Sequence, residues 1–363
     1  MLEGFRIIEI EGIGPGPFAA MMLADLGAEV ICVQSPAGPA LPGMGDENLL
    51  NRGKRTIALD LKDSGDLAVL RALIAGADGL IEGFRPGVME RLGLGPKECH
   101  ALRPQLVYGR MTGWGQHGPR ASQAGHDLNY AALSGALWYA SPPGTPPFGP
   151  PTLLGDIGGG ALYLVAGMLA GLLSAQKSGR GVVVDAAIVD GAAHMMALLM
   201  SMAPGGMLRE ARGQSLLDGP HWSRSYVCAD GGFIAVQCLE AKFYGEFLRL
   251  MDLADDPDFA RQYEPALWPA LTQRLAALFG TRPRDDWAAL FAGSDACVAP
   301  VLSPREAAAD AHMAARGIWG EAGGMLQPAP APRFDGVARA LAAVPGRDQH
   351  RAEILAELGL NSG

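Results

Sequence analysis

Two polar segments interrupt an otherwise apolar, glycine-rich part of the chain: Gly125-His126-Asp127-Leu128-Asn129-Tyr130 and Gly155-Asp156-Ile157-Gly158-Gly159-Gly160. His126 follows a loop rich in Gly, Gln and Pro, and residues 127–133 are typical of a helix with an acid in its first turn. Asp156 ends the Pro-rich loop 142–155 and stands where an N-cap is expected, before the apolar run 158–175. The pattern predicts that both titratable side chains begin helices, face one pocket and form one active site.

Each residue also has an ordinary structural explanation. A single histidine is often a buried, hydrogen-bonded residue of the fold, and an aspartate at an N-cap is common helix chemistry. The loops around them favour function, because long irregular segments in a compact domain are usually functional or disordered, and these contain Trp114, Tyr139 and Phe148.

The elements that must position the two residues follow an alternating pattern. Strands are predicted at 5–10, 29–33, 56–59, 79–82, 106–110 and 182–185, and helices at 17–26, 65–74 and 191–202, the last capped by Asp190, with short helices ending at Arg91 and His100. This alternation is typical of a parallel sheet, whose strand ends meet ligand-binding loops.

Two segments invite other interpretations. The turn Gly12-Ile13-Gly14-Pro15-Gly16-Pro17 resembles a dinucleotide fingerprint, but its third glycine is replaced by Pro17, and the second strand ends without an acid for a ribose. NAD or FAD binding is therefore disfavoured. The apolar run 158–175 is long enough to suggest a membrane span, but its leading glycines and the strand that follows favour a buried core helix.

Composition limits the remaining possibilities. The chain has 363 residues, of which 49% are hydrophobic and 18% charged, so we expect a large core and two domains. A net charge of −9 argues against non-specific nucleic-acid binding, and an anionic ligand would need a local basic patch. Five widely spaced cysteines indicate reduced thiols. With no signal-peptide pattern and no peroxisomal C-terminus, a cytoplasmic location is expected.

Changes in composition along the sequence predict four segments. Residues 1–204 form a large α/β domain, 205–222 a linker, 223–310 a small α+β domain, and 311–363 a return segment that packs on the large domain. In the small domain a hairpin over 226–236 turns at Asp230-Gly231. Helices at 242–251, 265–279 and 285–291 and a strand at 297–301 follow.

Several motifs together resemble the family III (CaiB/BaiF-type) CoA transferases and, within them, the branch of α-methylacyl-CoA racemases. The similarity extends over nearly the whole chain, and the Gly-His-Asp-x-Asn-Tyr block is the most specific part, because the transferases generally keep the Asp156 equivalent and lack the histidine. The matching stretches are Gly12-Ile13-Gly14-Pro15-Gly16-Pro17, Gly83-Phe84-Arg85-Pro86-Gly87, Glu90-Arg91-Leu92-Gly93-Leu94-Gly95, Met111-Thr112-Gly113-Trp114-Gly115-Gln116, Gly125-His126-Asp127-Leu128-Asn129-Tyr130, Gly155-Asp156, Val184-Asp185-Ala186, Cys228-Ala229-Asp230-Gly231, Leu239-Glu240-Ala241-Lys242-Phe243-Tyr244 and Ser294-Asp295-Ala296-Cys297.

The resemblance implies inversion of the carbon next to a thioester carbonyl. His126 and Asp156 would remove and return the α-proton on opposite faces of an enolate, Glu240 would partner the histidine, and the backbone N–H of Asp127 would stabilise the enolate oxygen. It also implies a Rossmann-like parallel sheet in the large domain, an interlocked homodimer and no metal or redox cofactor. The identity of the acyl chain stays open.

The same resemblance implies contacts with CoA. Its phosphates need cations near the strand ends, and Arg91 matches a family arginine that contacts CoA. Weaker candidates are Arg52, Lys54, Arg55 and Arg85, together with Gly83 and Phe84 of the same loop as Arg85. For each of these four cations a solvated surface charge is the alternative interpretation. One departure is that Gln34-Ser35-Pro36 stands where the family often has a basic residue.

Three functions are therefore compared. The first is an acyl-CoA racemase, the second a CoA transferase with Asp156 as nucleophile, and the third a CoA-binding protein without catalysis. His126 favours the first over the second, and the joint presence of His126, Asp156 and Glu240 argues against the third.

Overall fold

The structure is a computed structural model that describes residues 1–38 and 48–360. Residues 39–47 and the C-terminal residues 361–363 lie outside the described residues. The chain divides into two compact units. The first contains the described residues of 1–136, 150–195 and 311–363, and the second contains residues 137–149 and 196–310. The predicted domain boundaries stay a prediction, and the packing assigns 137–149 and 196–204 to the second unit.

A six-stranded parallel sheet forms the centre of the first unit. Its strand order is β3-β2-β1-β4-β5-β6, so the chain builds outward from β1 in one direction and then crosses back to add β4 on the other side of β1. The alternation predicted from the sequence is confirmed, and the fold class is α/β. The strands are β1 (Arg6–Ile10), β2 (Glu29–Gln34), β3 (Arg55–Ala58), β4 (Gly79–Glu82), β5 (Val107–Thr112) and β6 (Val183–Ala187).

Helices cover both faces of this sheet because alternate strand residues point in opposite directions. Ile7 of β1 joins a core with residues of α1 and α6, whereas Ile8 joins a second core with residues of α2, α4 and α14. The helices of the first unit are α1 (Pro15–Asp25), α2 (Ser64–Ala75), α3 (Val88–Arg91), α4 (Pro96–Leu102), α5 (Asp127–Leu133), α6 (Leu162–Ser178), α7 (Ile188–Met195), α13 (Ala311–Ala315) and α14 (Arg351–Glu357).

Two predicted helix starts are wrong. The apolar helix begins earlier than expected, because a π-helical segment, Leu153–Ala161, precedes α6. Asp190 lies inside the first turn of α7 and does not cap it, since that helix already begins at Ile188. Both errors arise where one helix or strand runs directly into the next, so no loop marks the boundary.

The apolar helix has two different faces. Leu164, Met168 and Leu172 are buried in the sheet-side core, as expected of a core helix, while Leu162 and Leu173 are exposed. Residues 153–178 are long and apolar enough to cross a bilayer by length and composition, and 44% of their most apolar window is buried in the fold.

The second unit has its own core. An antiparallel sheet of order β7-β8-β9 packs with three helices around Trp222, Phe247 and Phe279. The predicted hairpin is present, and Asp230 Oδ1 accepts the Gly232 N–H in its turn (3.0 Å). The elements are α8 (Ala197–Met200), β7 (Ser223–Val227), β8 (Phe233–Gln237), α9 (Ala241–Leu250), α10 (Trp268–Phe279), α11 (Arg284–Phe291), β9 (Val298–Val301) and α12 (Pro304–Ala309).

The C-terminal part of the first unit closes the outer edge of the sheet. After a hairpin of β10 (Trp319–Ala322) and β11 (Met325–Pro328), the chain reaches β3. Asp348 Oδ1 accepts the Ala58 N–H (2.7 Å), and His350 Nδ1 accepts the Thr56 N–H (3.1 Å). Side chains thus satisfy edge groups that would otherwise need another strand.

Candidate active site

A cleft of about 350 Å³ opens at the carboxyl ends of β1, β4 and β5. It lies at the point where the strand order reverses, between β1 and β4, which is where open α/β sheets bind ligands. Its lining includes Gly12 and Ile13 after β1, Gly83, Phe84 and Arg85 after β4, Thr112 at the end of β5, and Gly113 and Trp114 after β5. His126 and Asp156 line the same cleft.

His126 is positioned by the start of α5. It has an extended backbone (φ −139°, ψ 174°), and the Asn129 side-chain oxygen accepts its N–H (3.1 Å). Tyr130 fixes the preceding loop, because its hydroxyl donates to the Gly125 carbonyl and its ring packs edge-on against Trp114 at 4.7 Å. A side chain at Gly113 would overlap the Tyr130 ring. The imidazole of His126 is exposed.

Asp156 lies inside the π-helical segment and is not its N-cap, which corrects the prediction. The segment begins three residues before it, after Thr152. The capping acceptor comes from elsewhere in the sequence: Asp127 Oδ1 accepts the N–H groups of both Gly155 and Asp156, each at 2.8 Å. The carboxylate of Asp156 is therefore free to face the cleft. π-helical turns are rare and often occur at functional sites.

The surroundings of Asp156 favour its protonated form. The pKa of this carboxyl group is raised from 3.8 to about 6, because burial and the negative charge of Asp127 raise it more than His126 lowers it. Gly14, in the turn after β1, has φ +71°, and a Cβ at this position would come within 3.5 Å of Asp156 Oδ2. The glycine turn thus lets the backbone approach the acid closely.

Glu82 is a cleft residue that the sequence analysis did not single out. It ends β4, is 3% exposed, and accepts the Phe84 N–H at 2.7 Å. Burial raises the pKa of its carboxyl group to about 7, although this hydrogen bond and Arg110 oppose the rise. An acid at the carboxyl end of a buried strand, directly before glycine, is the sequence signal that could have identified it.

The predicted CoA-binding cations separate into two groups. Arg85 lines the cleft with Gly83 and Phe84 and is exposed. Arg91 is also exposed but is not among the described residues that line the cleft.

The other three cations form ion pairs within the fold. Arg52 pairs with Asp25 (2.5 Å) and Lys54 with Glu9 (2.5 Å), and both cations are buried. Arg55 pairs with Glu29 and Glu357. The structure does not support phosphate binding by Arg52 and Lys54, because a buried, paired cation offers no surface to a ligand.

Two further predictions concern groups outside the cleft lining. Glu240 is exposed in the second unit and directly precedes α9, so its partnership with His126 stays a prediction. The Asp127 N–H lies at the start of α5, next to His126, and donates no backbone hydrogen bond within residues 1–38 and 48–360. In that described part of the chain, no cluster of three His, Cys, Asp or Glu residues could hold a metal.

Comparison with known proteins gives consistent relatives. Residues 2–351 match the family model described as CoA-transferase family III. A Mus musculus protein named alpha-methylacyl-CoA racemase is 40% identical, covering 99% of this chain and 94% of that protein. The Homo sapiens protein of the same name is 37% identical, with the same coverage. The crystal structure of a CAIB/BAIF family protein from Brucella suis superposes with a TM-score of 0.83 at 27% identity, covering 98% of this chain and 99% of that one.

Proposed function

Because the chain belongs to family III of the CoA transferases, we propose that it is a racemase that inverts C2 of 2-methylacyl-CoA thioesters. The observation that carries this proposal is that His126 and Asp156 line one cleft at the switch point of the sheet. Two relatives named alpha-methylacyl-CoA racemase match nearly the whole chain and support it.

The proposed reaction moves one proton at a time. One residue of the pair His126 and Asp156 removes the C2 proton, and the electron pair moves into the thioester to give an enolate. The other residue then donates a proton to the opposite face of C2, while the enolate electron pair returns. A pKa of about 6 leaves a minor fraction of Asp156 protonated near neutral pH. The ionised form can therefore accept the C2 proton, and the protonated form can donate one.

Other groups assist this transfer. The N–H of Asp127, at a helix start, is proposed to donate to the enolate oxygen, where a fixed donor stabilises developing charge. Glu240 is proposed to orient His126.

We further propose an interlocked homodimer in which Glu240 is supplied by the second copy. If so, co-expressing His126→Ala and Glu240→Ala chains should restore part of the activity that either variant lacks alone, whereas no recovery argues for a site within one chain.

CoA is proposed to bind along the strand ends, with Arg85 and Arg91 near its phosphates. Support comes from the exposure of both side chains and from Arg85 lining the cleft. We expect no metal or redox cofactor, since acid/base groups suffice for proton transfer at C2. A cytoplasmic location also stays part of the proposal.

The test is hydrogen exchange at C2. Either enantiomer of a 2-methylacyl-CoA, incubated in D₂O without an acceptor acid, should incorporate deuterium and racemise. His126→Ala or Asp156→Ala should reduce inversion by about 10²-fold or more, while exchange persists for the enantiomer whose proton faces the remaining base. Equal residual exchange of both enantiomers in both variants would contradict a two-base mechanism.

The second candidate is a CoA transferase in which the Asp156 carboxylate attacks the thioester. It is favoured by the family's transferase activity and by an aspartate that faces the cleft. The attack would release CoA thiolate and leave an acyl anhydride on Asp156, and the thiolate would then attack the Asp156 carbonyl, release the acyl group as a carboxylate and form a CoA thioester on Asp156. A free carboxylic acid would be needed as the acceptor that takes CoA from this thioester. Trapping with hydroxylamine or borohydride separates the two: modified Asp156 supports the transferase, and exchange without any acceptor supports the racemase.

A further inference from the structure

One oxygen of Asp127 links the two halves of the proposed catalytic pair. Asp127 directly follows His126, and its Oδ1 accepts hydrogen bonds from Gly155 N–H and Asp156 N–H, both at 2.8 Å. These amides belong to the first turn of the π-helical segment. A single side chain next to one proposed base therefore fixes the backbone of the other, 29 residues away in sequence.

The local packing is built around this contact. A Cβ at Gly155 would come 2.6 Å from Asp127 Oδ1 and 3.0 Å from the Asp127 carbonyl oxygen. Any side chain at this position would thus displace the carboxylate from the two amides it binds. Deeper in the segment, Gly159 packs against Ala192 and Ile188 of α7, so the turn cannot shift away to make room.

Groups near Asp156 come from the start of α5, the turn after β1 and α7, and Glu82 and Arg85 at the end of β4 line the same cleft. Asp127 and His126 act from the start of α5, with Tyr130 one turn later. The turn after β1 contributes Gly14, which carries no charge, and α7 meets the π-helical segment through apolar residues. Of the charged groups, Asp127 carries the same sign as ionised Asp156 and raises the pKa of that carboxyl group, whereas His126 lowers it.

We propose that the Asp127 side chain is a positioning residue for proton transfer at Asp156. Its Oδ1 orients the Asp156 backbone, and its negative charge helps keep a proton on the Asp156 carboxyl group. This inference rests on the proposed function, in which Asp156 exchanges a proton with substrate. It differs from the proposed role of the Asp127 backbone N–H, because the side-chain oxygen Oδ1 accepts the N–H groups of Gly155 and Asp156.

Two substitutions separate geometry from charge. Asp127→Asn keeps a carbonyl oxygen for the two amides and removes the charge, and Asp127→Ala removes both. We expect Asp127→Asn to retain KM. In the dependence of kcat on pH, the midpoint that is due to Asp156 should fall by about 1 pH unit. Asp127→Ala should show the same displacement and, in addition, lower kcat by about 10²-fold, because the base loses its alignment.

A readout independent of activity completes the test. With ¹³C-labelled aspartate, the Asp156 carboxyl resonance, assigned by its loss in Asp156→Asn, should titrate lower in Asp127→Asn than in the unmodified protein. Unchanged titration in this folded variant overturns the charge role, and equal kcat for the Asn and Ala variants overturns the geometric role. If the unmodified protein exchanges no C2 hydrogen, the proposed function fails. The titration still decides whether Asp127 raises the pKa of the Asp156 carboxyl group.

Discussion

Replacing Asp156 with Asn should stabilise the protein while abolishing the proposed reaction. A carboxyl group whose pKa is higher in the folded state than in the unfolded chain binds its proton more tightly when folded. The free energy of unfolding therefore falls as pH rises from about 4 to about 6, because the unfolded chain ionises Asp156 more easily than the folded protein does. Asn keeps the shape and never ionises, so the variant should avoid this loss.

The size of the gain follows from the pKa. Each tenfold change in acid dissociation is worth about 1.4 kcal/mol, so a rise from 3.8 to about 6 sets an upper limit of about 3 kcal/mol. The side chain is half-buried and partly screened by solvent, which reduces the expected gain to about 1 kcal/mol. For a chain of this length that corresponds to a Tm increase of about 1 to 2 °C at pH 8.

The measurement is thermal or urea unfolding of both proteins at pH 4.5 and pH 8. The stability gain should be larger at pH 8 than at pH 4.5. Asp190→Asn, which changes an exposed carboxylate of α7, is the matched control and should change the unfolding free energy by less than about 0.5 kcal/mol. A variant that is less stable at both pH values, or equally more stable at both, would refute the argument.

Three further changes test the fold and the cleft. Lys54→Met should lower the free energy of unfolding by about 3 kcal/mol or more, because it leaves Glu9 buried without its cation, and adding Glu9→Gln should recover part of the loss in the same urea titration. Gly159→Ala should destabilise by about 1 to 3 kcal/mol, since its Cβ would lie 2.7 Å from the Ala192 backbone nitrogen; an unchanged Tm would contradict this packing. Arg85→Ala should raise KM for acyl-CoA with little change in kcat, whereas a loss confined to kcat would exclude a simple binding role.

Much of the first unit was predictable because its strands are short, apolar and separated by helices of regular period. The strand Gly79–Glu82 and the helix Asp127–Leu133 occur at the predicted bounds. The position of the cleft also follows from sequence, since a parallel sheet places its loops at the carboxyl edge. Local pattern therefore sufficed for the class of fold and for bringing His126 and Asp156 to one cleft.

The predicted phosphate ligands Arg52 and Lys54 illustrate what local pattern cannot supply. A run of basic residues is typical of an anion site, but their partners Asp25 and Glu9 lie 27 and 45 residues away. Only the three-dimensional fold reveals these carboxylates. The same holds for the C-terminal segment, where Asp348 binds the edge of β3 across 290 residues. Side-chain contacts over such distances have no signature in spacing.

The error at Asp156 has a different origin and points back to function. An aspartate after a Pro-rich loop was expected to cap its own helix, which would have engaged its carboxylate with backbone amides. In the structure Asp127 Oδ1 accepts the backbone N–H of Asp156, so the Asp156 carboxylate faces the cleft and does not cap the helix. A carboxylate bound to amides would have a lowered pKa and would be a poor proton donor, whereas the pKa of Asp156 is raised to about 6. The departure from ordinary capping is thus what makes this residue suitable for proton transfer.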